Sequence, residues 1–212
     1  MERRADWNHY VYVYGEGEAA REARVEFDVM AAVMPGDDGV TLRVVAPEAQ
    51  EVAVSEVLQP LEGLWVGTMR YAGQVETVVQ CPRGSLDPAI GSALDALGAS
   101  WQQVDGWAYT NDRIAPTPSD WRRIEDREAL ERLDLDGDGE LRVLHRFYGS
   151  AAGLKAIEER LADERFTRVD GSDERLTLAH SHPIGAISEI TCGLLRLGEA
   201  HGVAYDGWVL PG

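Results

Sequence analysis

Val104-Asp105-Gly106-Trp107 and Tyr205-Asp206-Gly207-Trp208 are the two stretches that decide how this chain is read. Upstream of them a second pair recurs, Leu42-Arg43-Val44-Val45 and Leu141-Arg142-Val143-Leu144. The offset is 99 residues from Leu42 to Leu141 and 101 from Val104 to Tyr205. Two matches in the same order and at nearly one spacing point to an internal duplication of about 100 residues.

Working outward from these anchors, each half reads as β-α-β-β-α-β. In the first, Val40 to Ala46 is a strand, and Glu51 to Leu61 carries Val54, Val57, Leu58 and Leu61 at helical spacing. Leu64 to Tyr71 and Gln74 to Cys81 are β-type runs joined at Ala72-Gly73, a hairpin turn. Ser85 is the expected N-cap, with Pro88 in the first turn, of a helix that ends at Gly98, and Ser100 to Tyr109 is the last strand. In the second half Leu141 to Phe147 is a strand and Ser150 to Asp163 a helix. Phe166 to Val169 and Arg175 to Ala179 form a hairpin. Ser181 or His182 caps a helix with Pro183 near its start, and Val203 to Leu210 closes the unit.

Such a unit buries one face of a four-stranded antiparallel sheet under two helices. The expected fold class is therefore α+β, with two tandem ferredoxin-like domains. The first carries an extra N-terminal β-hairpin from Asn8 to Tyr14 and Arg24 to Met34 across Gly15-Glu16-Gly17-Glu18. The expected divisions are 1-112 for the first domain, 113-139 for a linker with a short helix from Trp121 to Leu133, and 140-212 for the second domain. The apolar Trp121, Ile124, Leu130 and Leu133 predict that the linker helix docks on one domain.

The formal charge of the 212-residue chain is -17, which argues against direct nucleic-acid binding, since phosphate backbones are held by clustered Lys and Arg. From Leu141 onward 8 Lys+Arg face 10 Asp+Glu, leaving 12 against 27 before it, so the acidity belongs to the first part. An acidic surface steers basic protein partners. Cys81 and Cys192 are too few and too far apart for a disulfide framework or a thiolate metal site, and both read as buried small residues. No stretch reaches the ~18 apolar residues of a membrane span, and the N-terminal residues lack an apolar leader core. A cytoplasmic protein is the expectation.

Chemistry-bearing patterns are sparse. Asp134, Asp136 and Asp138 with Gly139 match the opening of a calcium-binding EF-hand loop, but its twelfth position is His145 rather than a bidentate Glu. A solvated acidic turn explains the same residues. Of the five histidines, His9, His145, His180, His182 and His201, only His180-Ser181-His182 is a local pair. It reads as a polar strand end leading into a helix cap, with a two-ligand metal site as the alternative. No nucleophile elbow or phosphate-binding glycine loop is present. In Asp-Gly-Trp, a glycine inside a strand signals a bulge that re-aims the following Trp. Trp107, Trp208 and Asp206 are the candidate partner contacts, with core anchoring as the structural reading.

His145-Arg146-Phe147-Tyr148, Phe166, Leu176-Thr177-Leu178-Ala179-His180, Pro183 to Ile190, and Tyr205-Asp206-Gly207-Trp208 with Pro211 together resemble the type-B regulator of ribonuclease E activity. That is a family of small acidic bacterial proteins with the β-α-β-β-α-β order. The region before it, with Trp7, Tyr10 and the exit from Pro118 to Leu133, is similar to an uncharacterised domain that commonly precedes this module. The resemblance implies a non-enzymatic regulator that binds a protein partner, an RNA-degrading endonuclease, without a cofactor. The alternative from another class is a metal-dependent hydrolase in the cleft between the domains, with His180, His182 and nearby carboxylates as ligands. A homodimer scaffold is a third expectation.

Overall fold

A computed structural model describes residues 7–14, 21–28, 39–61, 63–135 and 139–212. The chain is mixed α+β and divides into two compact units, Met1–Asp120 and Trp121–Gly212. Each is built around one antiparallel sheet.

The first unit contains β1 (Trp7–Tyr14), β2 (Arg21–Asp28), β3 (Gly39–Pro47), α1 (Glu51–Leu58), β4 (Leu64–Tyr71), β5 (Gln74–Pro82), α2 (Pro88–Ala96), β6 (Ser100–Asp105) and α3 (Ala108–Arg113). Its sheet order is β1-β2-β4-β5-β3-β6. The opening hairpin is present, β1 pairing with β2 and β2 adding to the edge of β4. Its turn, 15–20, and residues 29–34 of the expected second strand lie outside the described residues. The turn at Ala72-Gly73 has φ of 49° and 73°, the doubly left-handed geometry that tight hairpins favour.

Alternation along β3 and β5 separates two buried faces. Val40, Leu42, Val44, Val75, Val79 and Cys81 form one core with Val54 and Leu58 of α1 and Leu94 of α2. The opposite face holds Glu76, fully buried, and α3 covers it. Glu76 is engaged by Tyr109 of α3, by Arg43 at 3.0 Å and by Tyr71 at 3.1 Å, while the Arg43 guanidinium lies 5.5 Å from the Tyr109 ring centre. A buried carboxylate persists only when so satisfied. Burial and the Glu76 carboxylate raise the Tyr109 hydroxyl above its ordinary range, and the Glu76 hydrogen bond raises Arg43.

Two local expectations change here. Asp87, not Ser85, caps α2, its Oδ1 accepting from Ala89 N at 2.8 Å, because Pro88 at the first helical position makes the residue before it the cap. The last strand stops at Asp105 instead of running to Tyr109. Gly106 turns with φ 66°, and Trp107 opens α3.

The second unit begins within α4 (Pro118–Arg132) and continues through β7 (Glu140–Gly149), α5 (Ala151–Ala162), β8 (Thr167–Gly171), β9 (Arg175–Pro183), α6 (Ile187–Ala200) and β10 (Val203–Val209). Thr117 and Asp120 start α4 with reciprocal bonds, Thr117 N to Asp120 Oδ2 at 3.0 Å and Asp120 N to Thr117 Oγ1 at 3.2 Å. The segment read as a linker thus holds a helix with Ile124 and Asp126 buried. The sheet order is β10-β7-β9-β8. Phe147, Leu176, Leu178, Val203 and Tyr205 pack against Leu154, Ile157, Leu161 and Leu194. Ser150 caps α5, accepting from Gly153 N at 3.2 Å.

The expected cap at Ser181 or His182 is not one. β9 runs to Pro183, which pairs with Glu140, and a short 3-10 turn at Ile184–Ala186 leads into α6 without a side-chain cap. Cys81 and Cys192 are buried thiols not joined in a disulfide. Among the described residues no helix is long and apolar enough to cross a membrane.

Candidate functional site

Residues of one parity on β7 and β9 point into the same layer, so Val143, His145 and Phe147 stand beside Leu176, Leu178, His180 and His182. His180 and His182, two residues apart, share a face, and His145 completes a row that sequence spacing alone did not join. His145 is fully buried and His182 is 2% exposed.

The three imidazoles form a line rather than a chelate. His145 Nδ1 lies 2.8 Å from Tyr205 Oη, His145 Nε2 lies 2.8 Å from His182 Nε2, and His182 Nδ1 lies 3.0 Å from His180 Nδ1. Both ring nitrogens of His182 are therefore engaged by other imidazoles. Phe166 closes the side, stacked on His180 at 4.4 Å and 5.5 and 5.7 Å from the rings of His145 and His182. Burial, reinforced by the neighbouring histidines, pushes His145 down to about 3 and His182 down to about 4. Burial likewise raises the Tyr205 hydroxyl well above its ordinary value. At neutral pH the buried His145 and His182 rings are uncharged.

β10 carries Tyr205 to the line and Trp208 to a second buried polar group. Its pairing with β7 slips between Tyr205 and Gly207, so Tyr205 lies opposite Phe147 and Trp208 opposite His145. This bulge puts both rings on the helix-covered face. Gly207 adopts φ 93°, and a β-carbon there would sit 2.5 Å from Arg122 Nη1. Trp208 Nε1 donates to Asp126 Oδ1 at 2.8 Å, Thr191 Oγ1 of α6 donates to Asp126 Oδ2, and Arg122 Nε lies 3.3 Å from Asp126 Oδ1. Asp126, fully buried, is thus held by α4, α6 and β10 together.

The remaining sequence candidates separate. Asp206 is exposed at the bulge, and Trp107 is half-buried at the start of α3, far from a strand role. Asp136 and Asp138 lie outside the described residues, and Asp134, with φ 53°, belongs to a loop joining a helix to β7 instead of two helices. His9 and His201 are exposed. Among the described residues no group of three His, Cys, Asp or Glu side chains is placed to hold a metal ion. Spacing pointed to His180 and His182. Spacing did not join Tyr205, Phe166 or Asp126 to them; Tyr205 arrives because the sheet order sets β10 beside β7.

No protein-family model matches the chain, and no curated protein matches it. Among solved structures it is similar to one described as an unknown protein from Galdieria sulphuraria. The identity is 15%, over 82% of this chain and 99% of that one, with a TM-score of 0.26.

Proposed function

We propose that this chain is a non-catalytic, cytoplasmic protein-binding regulator that presents the helical layer of its first unit to a basic protein partner. The observation that carries the reading is the excess of carboxylates on that layer, where Arg70 of β4 pairs with Glu51. No Lys or Arg occurs between Arg43 and Arg70 or between Arg83 and Arg113, and α1 and α2 with their approaches carry Glu48, Glu51, Glu56, Asp87 and Asp95. Glu48, Val52 and Glu56 follow at helical spacing, and Val52 is 72% exposed between the two exposed carboxylates. The combination of one apolar contact with flanking charge suits specific, charge-steered docking.

The strand orders β6-β3-β5-β4 and β10-β7-β9-β8 support reading both units as ferredoxin-like repeats. The resemblance of 141–211 to the type-B regulator of ribonuclease E activity makes an RNA-degrading endonuclease the first partner to try. Purified ribonuclease E, titrated with the full chain at low and moderate salt, tests this. Binding that weakens with salt, and at least tenfold in a Glu48→Lys/Glu56→Lys variant, supports the reading. Salt-insensitive binding unaffected by that variant, or none, refutes it.

A further inference from the structure

We infer that the line from Tyr205 through His145 and His182 to His180 is a proton-counting latch in the second unit, which takes up one proton with every link intact and opens on the second.

The inference follows from counting. Three imidazoles offer six ring nitrogens, of which four are committed to the His145–His182 and His182–His180 links, and each link holds one proton between its two nitrogens. His145 Nδ1 can bear another, pointing at Tyr205 Oη, and His180 Nε2, at the half-exposed end, a fourth. Three neutral rings carry three protons. The line therefore has room for one more at whichever end nitrogen is bare, the direction of donation along the row setting which ring carries the charge. A fifth proton forces two N–H groups to face each other across 2.8 or 3.0 Å, so a link must break.

Among the described residues, the charged groups acting on His145 and His182 are the histidines of the line itself: His182 and His180 on His145, and His180 on His182. α5 contributes the apolar Leu154, Ile157 and Leu161, and the approach to β8 contributes Phe166. Arg122 and Asp126 from α4, Cys192 from α6 and Asp206 on β10 act on Tyr205. Burial of the two inner rings adds to the cost of charging them. Opening releases Tyr205, three residues from Trp208 on the same strand, so the latch and the Asp126 attachment of α4 share β10.

The test is a pH titration of the full, isotope-labelled chain by nuclear magnetic resonance, following the imidazole nitrogens and the Trp208 indole N–H. The expected result is two steps. Couplings across the nitrogen–nitrogen links survive the first, then vanish in the second together with a shift of the Trp208 indole signal. In His182→Phe, which removes both links, the cooperative second step should disappear. Should that variant not fold, the His145→Phe/Tyr205→Phe double variant, which replaces a bonded pair by apolar rings, should disconnect the Trp208 signal from titration. Loss of the couplings at the first proton, or independent titration of the three rings with Trp208 unmoved, overturns the inference.

Discussion

The same tripeptide is put to two uses. In the second unit Asp206-Gly207-Trp208 stays within a strand as a bulge, and the indole lands on a buried carboxylate. In the first, Asp105-Gly106-Trp107 ends the strand, and the chain turns to lay α3 over the opposite sheet face, where Tyr109 meets Glu76. The recurring tripeptide thus keeps the left-handed glycine, with φ 66° at Gly106 and 93° at Gly207, while the residues after it choose the outcome. Where Val209 continues, the strand pairs on with Leu144; where Ala108-Tyr109-Thr110 follow, a helix begins.

The contrast breaks first at the buried carboxylate. Replacing Asp126 by Ala leaves the Trp208 indole and the Thr191 hydroxyl without their acceptor and Arg122 without its nearest buried counter-charge, and should cost about 3–5 kcal/mol by urea denaturation. Asp105→Ala, removing only an exposed pair with Arg83, should cost less than about 1 kcal/mol in the same experiment.

Acid should separate the units next. Because His145 and His182 titrate below the ordinary value of 6.5, the unfolded chain binds more protons, so their contribution is fully present above about 6.5 and declines as pH falls. Each imidazole removes up to ~1.4 kcal/mol per pH unit, until about 4 for His182 and about 3 for His145. Amide hydrogen exchange between pH 7 and 4 should show protection lost in β7 and β9 before β3 and β5. Equal loss in both sheets would remove the histidines as the cause.

The two glycines give a finer comparison. Gly207→Ala meets both the left-handed backbone and Arg122, and should cost about 2–3 kcal/mol. Gly106→Ala, with nothing within 4 Å of the added carbon, should cost about 1 kcal/mol. Thermal unfolding of both variants measures the difference. Smallest is the ion-pair lattice on α4 and α5, where Lys155–Glu159 and Arg160–Glu164 are exposed. Lys155→Ala should change stability by no more than about 0.5 kcal/mol.

Much of this was legible where local chemistry decides. Ala72-Gly73 placed the hairpin of β4 and β5 to within a residue, and periodicity located α1 and α5. The bulge was readable from glycine inside a strand, but only for the second copy. Trp107 was misplaced because the two tripeptides are identical and the difference lies in the residues after them. The cap read at His182 failed for a different reason: β9 is held to Pro183 by pairing with Glu140, a contact between distant segments. The histidine row was half visible. Shared parity of His180 and His182 was in the spacing, whereas Tyr205 joins only through the neighbouring position of β10 and β7.

The start of α4 bears on how the molecule can be cut. The division between compact units falls between Asp120 and Trp121, yet the residues that nucleate the helix, Thr117 and Asp120, precede it. A fragment begun at 140, where repeat arithmetic places the second domain, would discard Asp126 and leave the Trp208 indole without its acceptor in an apolar layer. One begun at 121 would keep Asp126 on a helix whose first turn has lost its cap. The shortest fragment that carries its own fastening starts at Thr117.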